Sequence, residues 1–237
     1  MSKYPLLILH GWGSNSIRWQ KVVKLLKEKG VQVQVLDLPG FGIVPSPEKP
    51  WTREDYLNWI LQKIKEKKWK KFNLLGHSFG GGLSVKIAAN YPEKIEKLIL
   101  CAPAIIRRKS PKTYFFYWLA YLGKKIFSFP GLKSFQPYAQ RLIYKLAGSR
   151  DYYVADGTMK ETMKKLHEEN LQVFLEKIKT PTLIVWGEKD DILPVKDAYE
   201  LKEKIKGAKL RIIAKAKHSL HRETPEELAE IISQCII

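Results

Sequence analysis

The sequence predicts an α/β protein, and three observations carry the prediction. Six short apolar runs punctuate the chain, most of them bounded by Gly, Pro or Asp. Helix-period segments separate them. Most of the runs are apolar throughout, the mark of strands buried on both faces of a mostly parallel six-stranded sheet with helices on each side. With 237 residues, 45% of them apolar, the chain can bury a sizeable core, roughly 70–75% of the surface its unfolded form exposes.

Each element has its own signal. Residues 6–9 form the first run, and a Gly-rich turn leads from them into a helical pattern over 17–29. Residues 31–36 alternate Val with Gln before the turn signal Asp37-Leu38-Pro39-Gly40. Thr52-Arg53-Glu54-Asp55 has the form of an N-cap with an acidic third residue, opening a helix that ends near Lys68. The third run, 72–75, passes through the Gly-rich residues 76–82 into a helical pattern that reaches Asn90, and 98–101 is the fourth.

Between Ala104 and Thr180 the sheet pattern breaks. Helical periodicity over 136–147 and 158–178, with no evident strand, makes 105–179 a helical insert between core segments 1–104 and 180–237. The fifth run is 183–186, a helix follows over 195–206, and the sixth run is 210–213. Thr224-Pro225-Glu226-Glu227 predicts a capping box with Pro at the first helical position.

Composition bounds the function. Two cysteines, Cys101 and Cys235, make neither a disulfide framework nor an all-cysteine zinc site, and they suit a reducing, cytoplasmic setting. The opening residues have too short an apolar stretch for a signal peptide, and no run approaches the length of a membrane-spanning helix. The net charge of +18 is concentrated. Residues 107–150 hold ten Lys/Arg and no Asp or Glu, together with eleven aromatics.

The chemistry-bearing pattern is Gly76-His77-Ser78-Phe79-Gly80, placed where an apolar strand passes into a helix. Small residues at both ends permit a tight turn that lifts the Ser78 hydroxyl clear of the sheet. A serine needs an imidazole to take its proton and a carboxylate to hold that imidazole in one tautomer. The loop after the fifth run offers Asp190 or Asp191, and the loop after the sixth offers His218, with His221 its nearest rival. His10 and His77 lie in other turns, and His167 in a Glu-rich helical face. A developing oxyanion needs backbone donors. The amide of Phe79 and that of Trp12, in His10-Gly11-Trp12-Gly13 after the first run, are the candidates.

These segments resemble the α/β-hydrolase superfamily over nearly the whole chain. HGWG at 10–13, DLPGFG at 37–42, GHSFGG at 76–81, WGEKDDILP at 186–194 and AKHSLH at 216–221 are similar to that family's oxyanion loop, following turn, nucleophile elbow, acid loop and histidine loop. The resemblance implies an α/β-hydrolase fold with Ser78 as nucleophile, Asp190 as acid, His218 as base, and Trp12 and Phe79 as oxyanion donors. It also implies that residues 105 to about 165 are a lid over the active site. Two departures, a start at what would be the third strand and Lys217 where Gly often precedes the histidine, leave every catalytic group in place.

The implied activity is that of a serine hydrolase cleaving esters of small to medium apolar acyl groups, with no cofactor and no metal. HGWG, DLPGFG and the basic insert also resemble pimeloyl-carrier-protein methyl esterases, which makes an acidic carrier protein or an anionic surface the alternative partner of the insert. The plainer reading gives those lysines solvated heads over apolar stems. No stacking motif points to nucleic acid. A dinucleotide-binding oxidoreductase is the rival class: Gly11-Trp12-Gly13 after a strand and Asp37 after the next approximate that fingerprint. Ser16 at the third Gly position and bulky Trp12 in the phosphate turn argue against it.

Overall fold

The computed structural model describes residues 2–106, 108 and 157–237. Six strands form one sheet: β1 (Leu6–Leu9), β2 (Val33–Leu36), β3 (Phe72–His77), β4 (Ile95–Cys101), β5 (Thr182–Gly187) and β6 (Lys209–Ile213). Their spatial order is β2-β1-β3-β4-β5-β6, and every neighbouring pair is parallel. All six predicted runs are strands of this sheet.

Strand alternation sorts the core into two layers. Leu7, Leu9, Leu74, Leu98, Leu100, Ile184 and Trp186 face one side, where they meet α2 (Arg53–Glu66), α3 (Phe79–Asn90) and α5 (Lys196–Lys204). Leu6, Ile8, Leu75, Ile99, Leu183 and Val185 face the other, against α1 (Gln20–Glu28) and α7 (Pro225–Ile236). Because both faces are covered, the central strands can be apolar at every position; each buried Leu or Ile there contributes about 1.5–3 kcal/mol. Polar residues lie on the outer strands, β2 with Gln34 and β6 with Lys209 and Arg211, and near the ends of the central ones, Asn73 and His77 in β3, Glu96 and Lys97 in β4 and Thr182 in β5.

Local signals differ in how they are used. Thr52 caps α2 as expected: its side chain accepts from the Asp55 amide while the Asp55 carboxylate accepts from the Thr52 amide. Thr224 does not repeat the device. The short helix α6 (Leu220–Glu223) ends on Thr224, whose amide and hydroxyl both turn back to the Leu220 carbonyl, so no side-chain cap remains for α7. The pattern over 17–29 divides into a 3-10 turn (Ser16–Trp19) and α1. That over 158–178 divides into α4 (Gly157–Glu168) and a 3-10 turn (Leu171–Lys177), broken where Asn170 caps the second piece through the Gln172 amide. The helical pattern over 136–147 lies outside the described residues.

The end of α4 and the residue after it are fastened to the core by charge as well as apolar contact. Lys86 of α3, largely buried, lies 2.7 Å from Glu169 and 2.9 Å from Glu54. Arg53 donates to the Leu166 carbonyl and reaches Glu169 at 3.4 Å. Burial lowers the Lys86 pKa, but Glu169 and Glu54 together outweigh it and raise the value, so the ammonium keeps its proton. No helix among the described residues is long and apolar enough to cross a membrane.

Candidate active site

Ser78 sits between β3 and α3 with φ 51° and ψ −114°, a conformation that L side chains adopt only when surroundings enforce it. The surroundings do so. The Ser78 amide donates to the Cys101 carbonyl at 3.1 Å, and the Ser78 carbonyl accepts from the amides of Gly81 and Ala104 at 2.9 and 3.0 Å. The Gly80 amide donates to the His10 carbonyl at 3.2 Å, drawing the elbow against the end of β1. A Cβ at Gly80 would stand 2.6 Å from that same carbonyl oxygen, and one at Gly76 would stand 2.7 Å from the Gly81 Cα. Both glycines of the motif are therefore required by close backbone approach.

The acid and histidine loops leave the ends of β5 and β6 and are stitched together. Glu188 and Lys189 donate from their amides to the carbonyls of Ile213 and Ala216, at 3.0 and 2.8 Å. Asp190 is turned inward: its Oδ1 accepts from the amides of Ile192 and Leu193 at 2.9 and 2.8 Å, which leaves Oδ2 for the His218 Nδ1 at 2.8 Å. The Asp190 side chain is fully buried and that of His218 nearly so. A carboxylate on Nδ1 places the imidazole proton there and leaves Nε2 free to accept one.

Asp191 and His221, the sequence rivals, have other surroundings. Asp191 is exposed, 3.8 Å from Lys217. His221 is buried and stacked on Trp19, ring centroids 4.5 Å apart and planes 5° from parallel. Burial, with the charges of Arg222 and Arg18, pushes the His221 pKa down to about 3.

Ser78 and His218 line one cavity of about 710 Å³ with Gly11, Trp12, Phe41 and Met159. Trp12 packs edge-on to Phe41 and Phe79, at 4.9 and 5.5 Å, forming an aromatic wall. Phe79 is the first residue of α3, so its amide has no partner within the helix. The Trp12 amide makes no backbone hydrogen bond among the described residues. A larger cavity of about 830 Å³ runs along β2 between α1 and α2 and contains neither Ser78 nor an imidazole.

Two contributors were not legible in the pattern. His77 is buried, and its Nε2 donates to the His218 carbonyl at 3.0 Å, tying the histidine loop to the elbow. Burial and the neighbouring imidazoles hold its pKa well below 6.5, which keeps it neutral. Met159 reaches the cavity from α4, across more than 80 residues of sequence. The remaining nucleophile of the core, Cys101, is fully buried, and its thiol is pushed up to about 12.

The dinucleotide fingerprint fails on what Asp37 does. Its two oxygens accept from the amides of Ser16 at 2.5 Å and Ile43 at 3.1 Å, so the carboxylate is spent on its own loops. His218 and His221 face different partners, Asp190 and Trp19 respectively.

A serine raised from a parallel sheet by a strained strand-to-helix turn is the arrangement of α/β-hydrolases, and comparison with known proteins places the chain in that superfamily, as a serine hydrolase. It belongs to the family described as serine aminopeptidase, S33, whose model matches residues 2–225. The chain is 29% identical over 258 residues to the AB hydrolase superfamily protein YisY of Bacillus subtilis, covering 97% of this chain and 90% of that protein. It is 26% identical to the pimeloyl-[acyl-carrier protein] methyl ester esterase of Aeromonas hydrophila, covering 98% of this chain and 94% of the relative. The enol-lactonase from Burkholderia xenovorans has the same fold, with a TM-score of 0.72 at 23% identity, over 98% of this chain and 91% of the other.

Proposed function

We propose that this hydrolase cleaves carboxylic esters with small to medium apolar acyl groups, using Ser78, His218 and Asp190. The observation that carries the reading is the hydrogen bond from His218 to the buried Asp190, with His218 and Ser78 lining one cavity. In the proposed reaction His218 Nε2 accepts the hydroxyl proton as Ser78 Oγ attacks the ester carbonyl. The amides of Trp12 and Phe79 hold the oxyanion, and the imidazolium returns its proton to the departing alcohol. Water, deprotonated by the same Nε2, then attacks the acyl-enzyme and restores Ser78. The wall of Trp12, Phe41 and Met159 suits an apolar acyl chain.

Replacing Ser78→Ala should lower turnover of 4-nitrophenyl butyrate by several orders of magnitude, on the order of 10⁶ by analogy with the loss of a triad serine in a well-characterised protease. Unchanged hydrolysis by that variant would refute the reading.

We further propose that residues 105–179 form a lid over this site, supported by the reach of Met159 into the cavity. The free thiols of Cys101 and Cys235 suit the cytoplasm. A carrier-bound ester is a second reading, favoured by the similarity to the Aeromonas esterase and the basic run 107–150. Charge reversal at Arg141, Lys145 and Arg150, which lie outside the described residues, should then slow hydrolysis of a carrier-bound ester and spare a small one. Equal loss on both substrates counts against it.

A further inference from the structure

The cavity that holds Ser78 is mixed in character. Its lining includes the apolar Trp12, Phe41 and Met159 and also a basic group, Arg18, His221 and Arg222, whose charges act on one another. The stack of Trp19 on His221 brings the turn Ser16–Trp19 against α6, and the residues next in sequence to the stacked pair are the two arginines. Arg18 and Arg222 are exposed, and neither has a carboxylate partner among the described residues. No Asp or Glu lines the cavity among the described residues. The nearby acids are engaged elsewhere: Glu223 accepts from the amides of Lys217 and Ser219, Glu226 pairs with Lys21 and Asp191 with Lys217.

His221 adds an independent observation. It is 3% exposed, yet neither ring nitrogen has a hydrogen-bond partner. A buried polar group without a partner costs about 1–3 kcal/mol, a cost that a bound hydrogen-bonding group would offset. A neutral imidazole offers one N–H to a bound anion, beside two guanidinium forks that suit carboxylate and phosphate oxygens.

We propose that Arg18, Arg222 and His221 form an anion-recognition subsite, so that the preferred ester carries a carboxylate or phosphate group in addition to its scissile bond. This inference rests on the ester-hydrolase reading above. The apolar wall takes the hydrocarbon part and the basic group takes the charge, which orients the carbonyl toward Ser78. Exposed arginines in the cavity lining also steer anionic substrates, an effect that salt screens.

The test compares ratios of kcat/KM for matched esters: monomethyl glutarate against methyl butyrate for the carboxylate, and a butyryl ester of glycerol phosphate against tributyrin for the phosphate. The wild type should prefer at least one anionic ester by about tenfold, the size expected of two partly exposed charge pairs. Arg18→Gln with Arg222→Gln should bring that ratio near one, mostly through KM. The charge-matched control, Lys24→Gln with Lys63→Gln in the other cavity, should leave it unchanged.

A wild-type ratio at or below one for both pairs overturns the subsite, and so does an equal fall in the control. Which pair shows the preference identifies the anion. Calorimetry with glutarate and with inorganic phosphate keeps the question separate from catalysis. Binding to the wild type that is lost in the arginine double variant supports the subsite even in a protein without ester turnover, whereas equal binding by both proteins, or by neither, defeats it.

Discussion

Two pairs of loops flank the elbow, and each sets an inward-turned aspartate and a histidine at the ends of adjacent parallel strands. His10 and Asp37 follow β1 and β2; Asp190 and His218 follow β5 and β6. In the first pair every side-chain polar atom is spent on backbone. His10 donates from Nδ1 to the Gly11 carbonyl at 2.8 Å and accepts at Nε2 from the Leu38 amide at 3.0 Å, while Asp37 accepts from the Ser16 and Ile43 amides. In the second pair one carboxylate oxygen is spent on backbone and the other on the imidazole, and Nε2 of His218 is left over. The same residue types at equivalent strand ends thus make scaffold on one side and an unspent proton acceptor on the other. Residue identity does not separate them; the count of hydrogen bonds already satisfied does.

The comparison breaks most sharply at Asp190→Asn. The amide oxygen can still accept from Ile192 and Leu193, but the amide nitrogen facing His218 forces the proton onto Nε2. We expect turnover to fall by a factor on the order of 10⁴ with little change in thermal midpoint. A fall below tenfold would place Asp190 with Asp37 as scaffold.

The converse substitution, Asp37→Ala, strands two loop amides. It should cost about 3 kcal/mol of stability in urea unfolding, while kcat per folded molecule stays within a few-fold. Loss of turnover without loss of stability would contradict the scaffold assignment.

Acid titration probes the histidines collectively. Burial holds the pKa values of His10, His77 and His221 below 6.5, His221 at about 3. The unfolded chain takes up protons near 6.5 that the folded chain refuses, so stability is full above pH 6.5 and declines as the pH falls below it. For His221 the decline continues to about pH 3. Each such group contributes a slope of at most about 1.4 kcal/mol per pH unit. Urea midpoints at pH 7.5, 6.0 and 5.0 under constant ionic strength should show the loss, with a shallower slope in His10→Gln. Flat midpoints across this window would mean these imidazoles are not held neutral.

The smallest effect is expected at Asp191→Asn. Its carboxylate is exposed and 3.8 Å from Lys217, so turnover and stability should both change by less than about twofold. A large drop in turnover would return the acid role to Asp191.

Much of the fold was legible in the chain because its signals are short-range. The six apolar runs are all strands, and the Gly76-x-Ser78-x-Gly80 spacing reflects contacts within one turn or with the strand beside it. Where a local rule met a neighbouring element it gave way: Thr224 has the right sequence to cap α7, but α6 claims its hydroxyl first. From residue types and spacing alone the candidate site was legible to the level of loops, and the choice of Asp190 came from the family resemblance. Asp190 and Asp191 are adjacent, and only the inward turn of one toward His218 distinguishes them.

By itself the sequence determined the α/β class, the strand set, the elbow and the chain order of hydroxyl, carboxylate and imidazole, since each follows from periodicity or from sterics over a few residues. Tertiary structure decided which aspartate meets which histidine, that His77 anchors the histidine loop, and that Met159, Arg18 and Arg222 reach one cavity. Those outcomes depend on distances between segments up to two hundred positions apart, and no local pattern constrains such distances. The packed sheet sets them, by bringing the C-terminal ends of its parallel strands to one rim.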